Sequence, residues 1–145
     1  MRGQRGVTLI ELVVSIAVIA IAALALLGTL GYVHANSGLT MLQAQAQTIA
    51  NAYLTEITHM PFVDPDGIDG ESSRCLFDDV NDYNGLDDLN ATDRCGNVVA
   101  PFRVRVSVTG AALNGITAAN SMRVDVTVDY APSAQAVATG YRTNY

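Results

Sequence analysis

The feature that most constrains this chain is a stretch without charge, from residue 12 to residue 55, which contains no Asp, Glu, Lys or Arg. Its first part, residues 12–33, has 22 residues that are apolar or small almost throughout. About 20 apolar helical residues cross the hydrocarbon core of a bilayer. Arg2 and Arg5 precede the segment, and the next basic residue is Arg74. This asymmetry predicts a membrane-spanning helix with its N-terminus in the cytoplasm and the rest of the chain outside.

Glu11 lies at the start of this apolar segment and is not explained by a plain membrane anchor. A carboxylate entering lipid is costly without a partner, and no basic residue lies near it on the same helical face. The nearest candidate partner is a positive charge supplied by another chain. The competing interpretation is a single-pass anchor or an uncleaved signal peptide, since no convincing secretory cleavage site follows the apolar core.

Residues 6–12, with the sequence GVTLIEL, resemble the processing and assembly motif of type IV pilins and type II secretion pseudopilins. The resemblance implies that a prepilin peptidase cuts between Gly6 and Val7 and methylates the new amine of Val7, which stands where the family usually has Phe. It also implies that Glu11 pairs with the N-terminal amine of a neighbouring subunit. The implied partners are the peptidase, an inner-membrane assembly platform and other pilin subunits, contacted through the N-terminal helix.

A second helical pattern follows the membrane segment. Apolar residues recur between residues 39 and 60 at spacings of three and four, which predicts an amphipathic helix that Pro61 ends. Joined to the first segment, it predicts one helix of about 50 residues whose second half carries an extracytoplasmic head. The predicted core stripe consists of Leu42, Ala46, Ile49, Tyr53, Ile57 and Met60.

Three short segments resemble the minor pilins of mannose-sensitive haemagglutinin pili, the MshD-like group. They are residues 51–67, residues 77–83 and residues 140–145. This resemblance implies a minor subunit that is incorporated into a pilus fibre or primes its assembly, in adhesion or motility. A type II secretion pseudopilin is the alternative within the family, and a plain membrane-anchored binding domain is the alternative outside it.

The middle of the chain is acidic and loop-like. Ten of the fourteen acidic residues lie between residues 64 and 93, among Gly and Asn residues typical of turns. Asp64, Asp66, Asp69 and Glu71 are spaced closely enough to offer oxygen ligands to calcium, although they do not match the EF-hand spacing. A solvated acidic loop is the favoured interpretation, so we expect no cofactor.

Cys75 and Cys95 are the only two cysteines and flank most of this acidic segment. Outside the cytoplasm they are in an oxidising compartment, where disulfides form and persist. A two-cysteine metal or catalytic site is disfavoured because no His lies nearby. We therefore predict a Cys75–Cys95 disulfide that contributes roughly 3 kcal/mol to stability.

The C-terminal third predicts a small antiparallel sheet. Residues 102–109 and 122–130 alternate apolar and polar side chains, and residues 136–145 form a plausible third strand. Asp125 and Asp129 are expected to face Arg105 and Arg103, respectively, across the strand pair. The predicted fold is α+β, with the sheet packed on the second half of the long helix. The predicted organisation is a leader at 1–6, a transmembrane assembly helix at 7–33 and a head at 34–145, which comprises a helix to about residue 60, a disulfide loop at 61–100 and a β-meander at 101–145.

Several function classes are disfavoured. Neither His34 nor His59 has a nucleophile and an acid at a recognisable catalytic spacing, and no phosphate loop, zinc motif or nucleophile elbow occurs, so we expect no enzyme. The net charge is −6 with eight Arg and no Lys, which disfavours nucleic-acid binding. The expected location is the inner membrane as a single-pass precursor, and then a pilus fibre at the cell surface.

Overall fold

The computed structural model describes residues 8–67 and 71–144. The chain divides into two compact units, Met1–Gly38 and Leu39–Tyr145. One long helix, α1, spans Leu9–Thr58, and a short 3-10 helix spans Asn81–Tyr83. The strands are β1 (Asp87–Asp88), β2 (Ala91–Thr92), β3 (Val98–Ala100), β4 (Arg103–Gly110), β5 (Ser121–Tyr130) and β6 (Ala134–Thr143).

The end of α1 lies where the sequence predicts it. The helix ends at Thr58, and a further turn closes as Met60 N–H donates to Ile57 O over 3.0 Å. His59 therefore lies just beyond the helix, with its Nδ1 2.6 Å from Thr55 O. Pro61, which has no backbone N–H to donate, prevents the helix from continuing.

The core of the second unit lies between α1 and one face of the main sheet. The predicted stripe on the helix is confirmed in position: Ala46, Tyr53 and Ile57 are buried, while Leu42, Ile49 and Met60 pack partly buried against them. Ala50, one helical turn before Leu54, is also fully buried, although the predicted stripe did not include it. The sheet contributes buried side chains at alternate positions, namely Val104, Val106, Val108, Val124, Val126, Val128, Ala134, Ala136 and Ala138.

Four strands form the main sheet, in the order β1-β4-β5-β6, and all neighbours are antiparallel. The three long strands agree with the predicted meander and give the expected α+β layout. The sequence did not predict β1, whose two residues are Asp87 and Asp88, or the separate β2–β3 pair. Aspartates are poor strand formers, so β1 owes its place to its partners on β4 and not to its own propensity.

The ion pairs on the exposed face of the sheet differ from those predicted. Arg103 is opposite Asp129 in the register, as expected, but its guanidinium binds Asp87 on β1, with Nη2 2.6 Å from Oδ2. Asp129 instead forms an ion pair with Arg105, which lies diagonally across the strand pair. The reason is β1, which brings a closer carboxylate to Arg103 than the facing strand does.

The predicted Arg105–Asp125 pair is wrong. Asp125 lies opposite Ser107, and its carboxylate binds Arg123 on its own strand, with Nε 2.8 Å from Oδ2. These side chains are a quarter to a half exposed. Each pair therefore contributes little to stability, about 0.2–1 kcal/mol.

Candidate functional site

The N-terminal end of α1 is built around Thr8 and Glu11. Leu12 N–H donates to Thr8 O over 3.2 Å, and Glu11 N–H lies 3.4 Å from Thr8 Oγ1, so Thr8 is the N-cap of the helix. Glu11 follows three residues later, where the positive end of the helix dipole also stabilises a carboxylate. Within residues 8–67 and 71–144, the Glu11 carboxylate is exposed and makes no hydrogen bond or ion pair. The predicted cleavage residues Gly6 and Val7 lie outside the described residues.

The helix surface after Glu11 is apolar and uncovered. Residues Leu9–Thr29 are long and apolar enough to span a membrane by length and composition, and none of this segment is buried. Its large side chains are more than half exposed from Leu9 through Leu27. Such a surface needs either lipid or other apolar helices around it, because contiguous apolar surface of this extent is not stable in water.

A buried arginine ties the loop after α1 to the end of the helix. The Arg74 side chain is 7% exposed. Its guanidinium donates two hydrogen bonds to the Glu56 carboxylate, from Nε to Oε1 over 3.1 Å and from Nη2 to Oε2 over 2.5 Å. It also donates to Thr92 O over 3.0 Å and lies 3.8 Å above the centre of the Tyr53 ring. Tyr83, fully buried, donates its hydroxyl to Glu56 Oε1 over 2.8 Å. These contacts fix the acidic loop against the helix.

Burial changes the acidity of both tyrosines in this cluster. Burial and the hydrogen bond to Glu56 raise the pKa of Tyr83, and burial raises the pKa of Tyr53 despite its hydrogen bonds with Thr92. Both hydroxyls therefore remain protonated donors at neutral pH. The sequence held one signal for this cluster: Arg74 is the only basic residue between Arg5 and Arg94, and Glu56 is the first acid after the uncharged stretch.

The predicted disulfide is present between Cys75 and Cys95, with their Cα atoms 4.6 Å apart and a sequence separation of 20. Cys75 follows Arg74 directly, so the covalent link and the buried ion pair hold the same part of the loop. On the other side, Arg94 donates to Phe77 O over 2.7 Å. The loop between the cysteines is therefore closed by a bond and by polar contacts at both ends.

Two aspartates in this loop bind backbone amides reciprocally. Asp79 Oδ1 accepts from the N–H groups of Asn81 and Asp82, while Asp82 Oδ2 accepts from those of Asp78 and Asp79. These bonds build the turn that carries the 3-10 helix. Asp78 differs from them: its Oδ1 is a buried atom without a hydrogen-bond partner among the described residues.

The carboxylates of the proposed calcium ligands are distributed differently from the predicted set. Asp64 and Asp66 come together with Asp78, whereas Glu71 comes together with Asp78 and Asp82, each group within 4.8 Å. Asp69 lies outside the described residues. Burial, followed by the neighbouring aspartates, raises the pKa of Asp78. The preference for a solvated acidic loop over a calcium site stays a prediction.

Comparison with known proteins bears on the N-terminal segment. A family model of the prokaryotic N-terminal methylation motif matches residues 1–27, which include Gly6, Val7 and Glu11. The chain carries a prepilin-type N-terminus. No curated protein and no solved structure matches the chain at a significant level.

The motif match supports a type IV pilin-like or pseudopilin protein, a group whose members are structural subunits. It implies processing by a prepilin peptidase and assembly with other pilins. Together with the apolar helix it fits a membrane-anchored precursor. The α+β layout, a long N-terminal helix followed by an antiparallel sheet, is pilin-like.

Proposed function

We propose that this chain is a minor type IV pilin. It is inserted in the inner membrane as a precursor, and a prepilin peptidase cuts it between Gly6 and Val7 and methylates the Val7 amine. The processed subunit then enters a pilus fibre, or primes its assembly, by packing its N-terminal helix among those of other subunits. Glu11 sets the register by pairing with the amine of a neighbouring subunit.

The observation that supports this proposal is the Glu11 carboxylate at the start of an exposed apolar helix. An acid inside the hydrocarbon region costs a few kcal/mol unless it is paired. The amine of a sister subunit offsets this cost, and the attraction is stronger in a desolvated helix bundle than at a protein surface. Both the acid and the apolar surface thus acquire partners in one step.

The nearest alternative is a type II secretion pseudopilin, which shares the N-terminal motif and the helix. The resemblance of three head segments to minor pilins of haemagglutinin pili supports the pilus over the secretion system. A gene located among secretion genes, and not pilus genes, would favour the pseudopilin.

The first experiment is mass spectrometry of the protein purified from cells that assemble the fibre. The expected mass lacks the six-residue leader and carries one added methyl group. An intact leader would leave a plain membrane-anchored domain as the better interpretation. Quantification of sheared fibres separates a minor from a major subunit, because a minor pilin is far less abundant than the principal subunit.

The second experiment tests the charge itself. Glu11→Gln keeps the shape and the helix propensity but removes the charge, so we expect incorporation into fibres to fall sharply while the protein remains in the membrane. Glu11→Asp, which keeps the charge, and Ser15→Ala, which changes a nearby polar residue, serve as controls. Undiminished incorporation of Glu11→Gln would remove the electrostatic basis of the proposal.

A further inference from the structure

Strand β6 forms one edge of the main sheet, since β5 is its only neighbour in the strand order. Two contacts define which backbone groups point away from β5. Gln43, on α1, donates its side-chain Nε2 to Gln135 O over 2.6 Å, and its Oε1 lies 3.4 Å from Gln135 N, so the Gln135 backbone faces outward. Asn144 N–H donates instead to Asn120 O, towards the β5 side. Along a strand, the N–H and C=O groups of successive residues point alternately to its two neighbouring sides. The backbone groups of the odd-numbered residues of β6 therefore point away from β5.

The outward backbone groups of Val137, Thr139 and Tyr141 have no hydrogen-bond partner in the part of the chain that the structure describes. The side-chain amide of Gln43 takes the place of a neighbouring strand by bonding the N–H and C=O of Gln135. Among the described residues, no other side chain does the same for the next three outward positions. An unpaired row of this kind is a template for another strand.

Several of the devices that usually protect an edge are missing from this one. Strand β6 contains no Pro or Lys, and it pairs with β5 without a bulge over ten successive residues. Its outward positions carry residues that favour strands, and two of them are well exposed, Val137 at 54% and Tyr141 at 42%. The edge is therefore long, uninterrupted by a bulge and open to pairing at these positions.

The charged side chains of β5 beside this edge are paired: Asp125 pairs with Arg123, and Asp129 pairs with Arg105. Gln47 and Asn51 follow Gln43 at spacings of four, on the same face of a helix segment that has no charged residue. The side chain of Arg142 is turned to Met60 O, to which its Nε donates over 2.9 Å. Copies of a protein with net charge −6 repel one another, and approach is least opposed at an edge whose neighbouring charges are paired.

We infer that the β6 edge, residues 137–141, receives an extended strand from the head of a sister subunit that carries the same N-terminal motif. This inference rests on the proposed function, because helices packed side by side hold the heads at high effective concentration, where a short strand contact suffices. The edge runs beside that same helix, from Gln43 near Gln135 to Met60 near Arg142. A contact between two different surfaces also continues from subunit to subunit, as an open fibre requires.

The test uses the full chain in cells that assemble the fibre, with Tyr141→p-benzoylphenylalanine as a photocrosslinker at the edge. Ser107→p-benzoylphenylalanine is the matched control, since Ser107 is exposed on the same sheet face but lies on an inner strand. We expect crosslinks from position 141 into a head segment of a subunit with the N-terminal motif. Crosslinks only to an unrelated envelope protein, or none above the Ser107 control, overturn the inference.

A second arm asks whether the contact is strand pairing. Val137→Pro removes one outward N–H without touching a bond to β5, and Val137→Lys places a charge on the edge. Val137→Pro is expected to reduce the crosslink about five- to tenfold, the effect of losing about one backbone hydrogen bond, and Val137→Lys is expected to reduce it through the charge that it places at the contact. Val137→Thr keeps the backbone and is expected to leave it unchanged. Crosslinking that survives both Pro and Lys overturns the strand-addition contact.

The mass of the N-terminus distinguishes the two proposals in every variant. A chain that has lost its leader and gained a methyl group, but shows no edge-specific crosslink, contradicts the edge contact alone. A chain that keeps its leader contradicts the pilin proposal itself.

Discussion

Replacing Arg74 with Met removes the cation that joins the acidic loop to α1. The Arg74 side chain is 7% exposed and that of Glu56 is 23% exposed, so the pair is largely, but not fully, withdrawn from water. Breaking a buried pair by removing one partner costs about 3–5 kcal/mol. Because Glu56 keeps the Tyr83 hydroxyl and some access to water, we expect about 3 kcal/mol, at the lower end of that range.

The cost arises from the charge left behind and not from the lost contact alone. Glu56→Met is therefore expected to cost about as much as Arg74→Met, while the double variant leaves neither member of this pair uncompensated and loses only the longer contact of Arg74 with Asp88, 3.7 Å between Nη1 and Oδ2. The double variant should cost clearly less than the sum of the single ones, with a coupling of about 2 kcal/mol. Arg103→Met is a matched control, because the Arg103 and Asp87 side chains are nearly half exposed, and its cost should stay below about 1 kcal/mol.

The assay is urea unfolding of the full chain in detergent, without reductant, followed by the near-ultraviolet circular dichroism of the tyrosines. Tyr53 and Tyr83 lie in the Arg74 cluster and report on it directly. Single-variant costs that add within about 0.5 kcal/mol in the double variant would refute the coupling. A cost for Arg74→Met no larger than that for Arg103→Met would refute the role of burial.

Other parts of the head give further predictions. Replacing Cys75 and Cys95 together with Ala should lower the free energy of unfolding by roughly 3 kcal/mol, and equal urea midpoints with and without the disulfide would contradict this. Asp78→Asn should raise the urea midpoint at pH 7 in chelator, because burial and neighbouring aspartates raise the pKa of Asp78 and disfavour its charged form in the folded state. That gain should shrink as the pH falls from the raised pKa of Asp78 towards the ordinary carboxyl pKa of about 4, and a gain independent of pH would contradict it. A Cβ on Gly140 would lie 3.0 Å from Leu54 Cδ1, so Gly140→Val should cost about 1–3 kcal/mol, and adding Leu54→Ala should recover part of it.

Local patterns in the sequence predicted much of this molecule. The uncharged stretch, the helical stripe and the alternation along β4 and β5 are periodic signals that depend only on near neighbours, and each predicted element is present. The disulfide followed from the number of cysteines and the compartment. The N-terminal motif is a continuous segment of residues 1–27 and needs no tertiary structure to be recognised.

Features that join distant segments were not predictable in the same way. Arg74 meets Glu56 and Thr92, each 18 residues away, because the chain folds back over the helix. Strand β1 joins the sheet against the propensity of its two aspartates, and by doing so it changes the partner of Arg103. Grouping of the acidic side chains around Asp78 likewise depends on how the loop closes.

What the sequence alone determined is the membrane-type helix with its acid, the head's amphipathic elements and their α+β class, because hydrophobic periodicity is a property of neighbouring residues. What only the tertiary structure decided is which charges pair and which edge stays open. Strand register fixes which backbone groups of β6 point outward. The side chain of Gln43, 92 residues away from Gln135, then covers one of those positions and leaves the next three without a partner among residues 8–67 and 71–144.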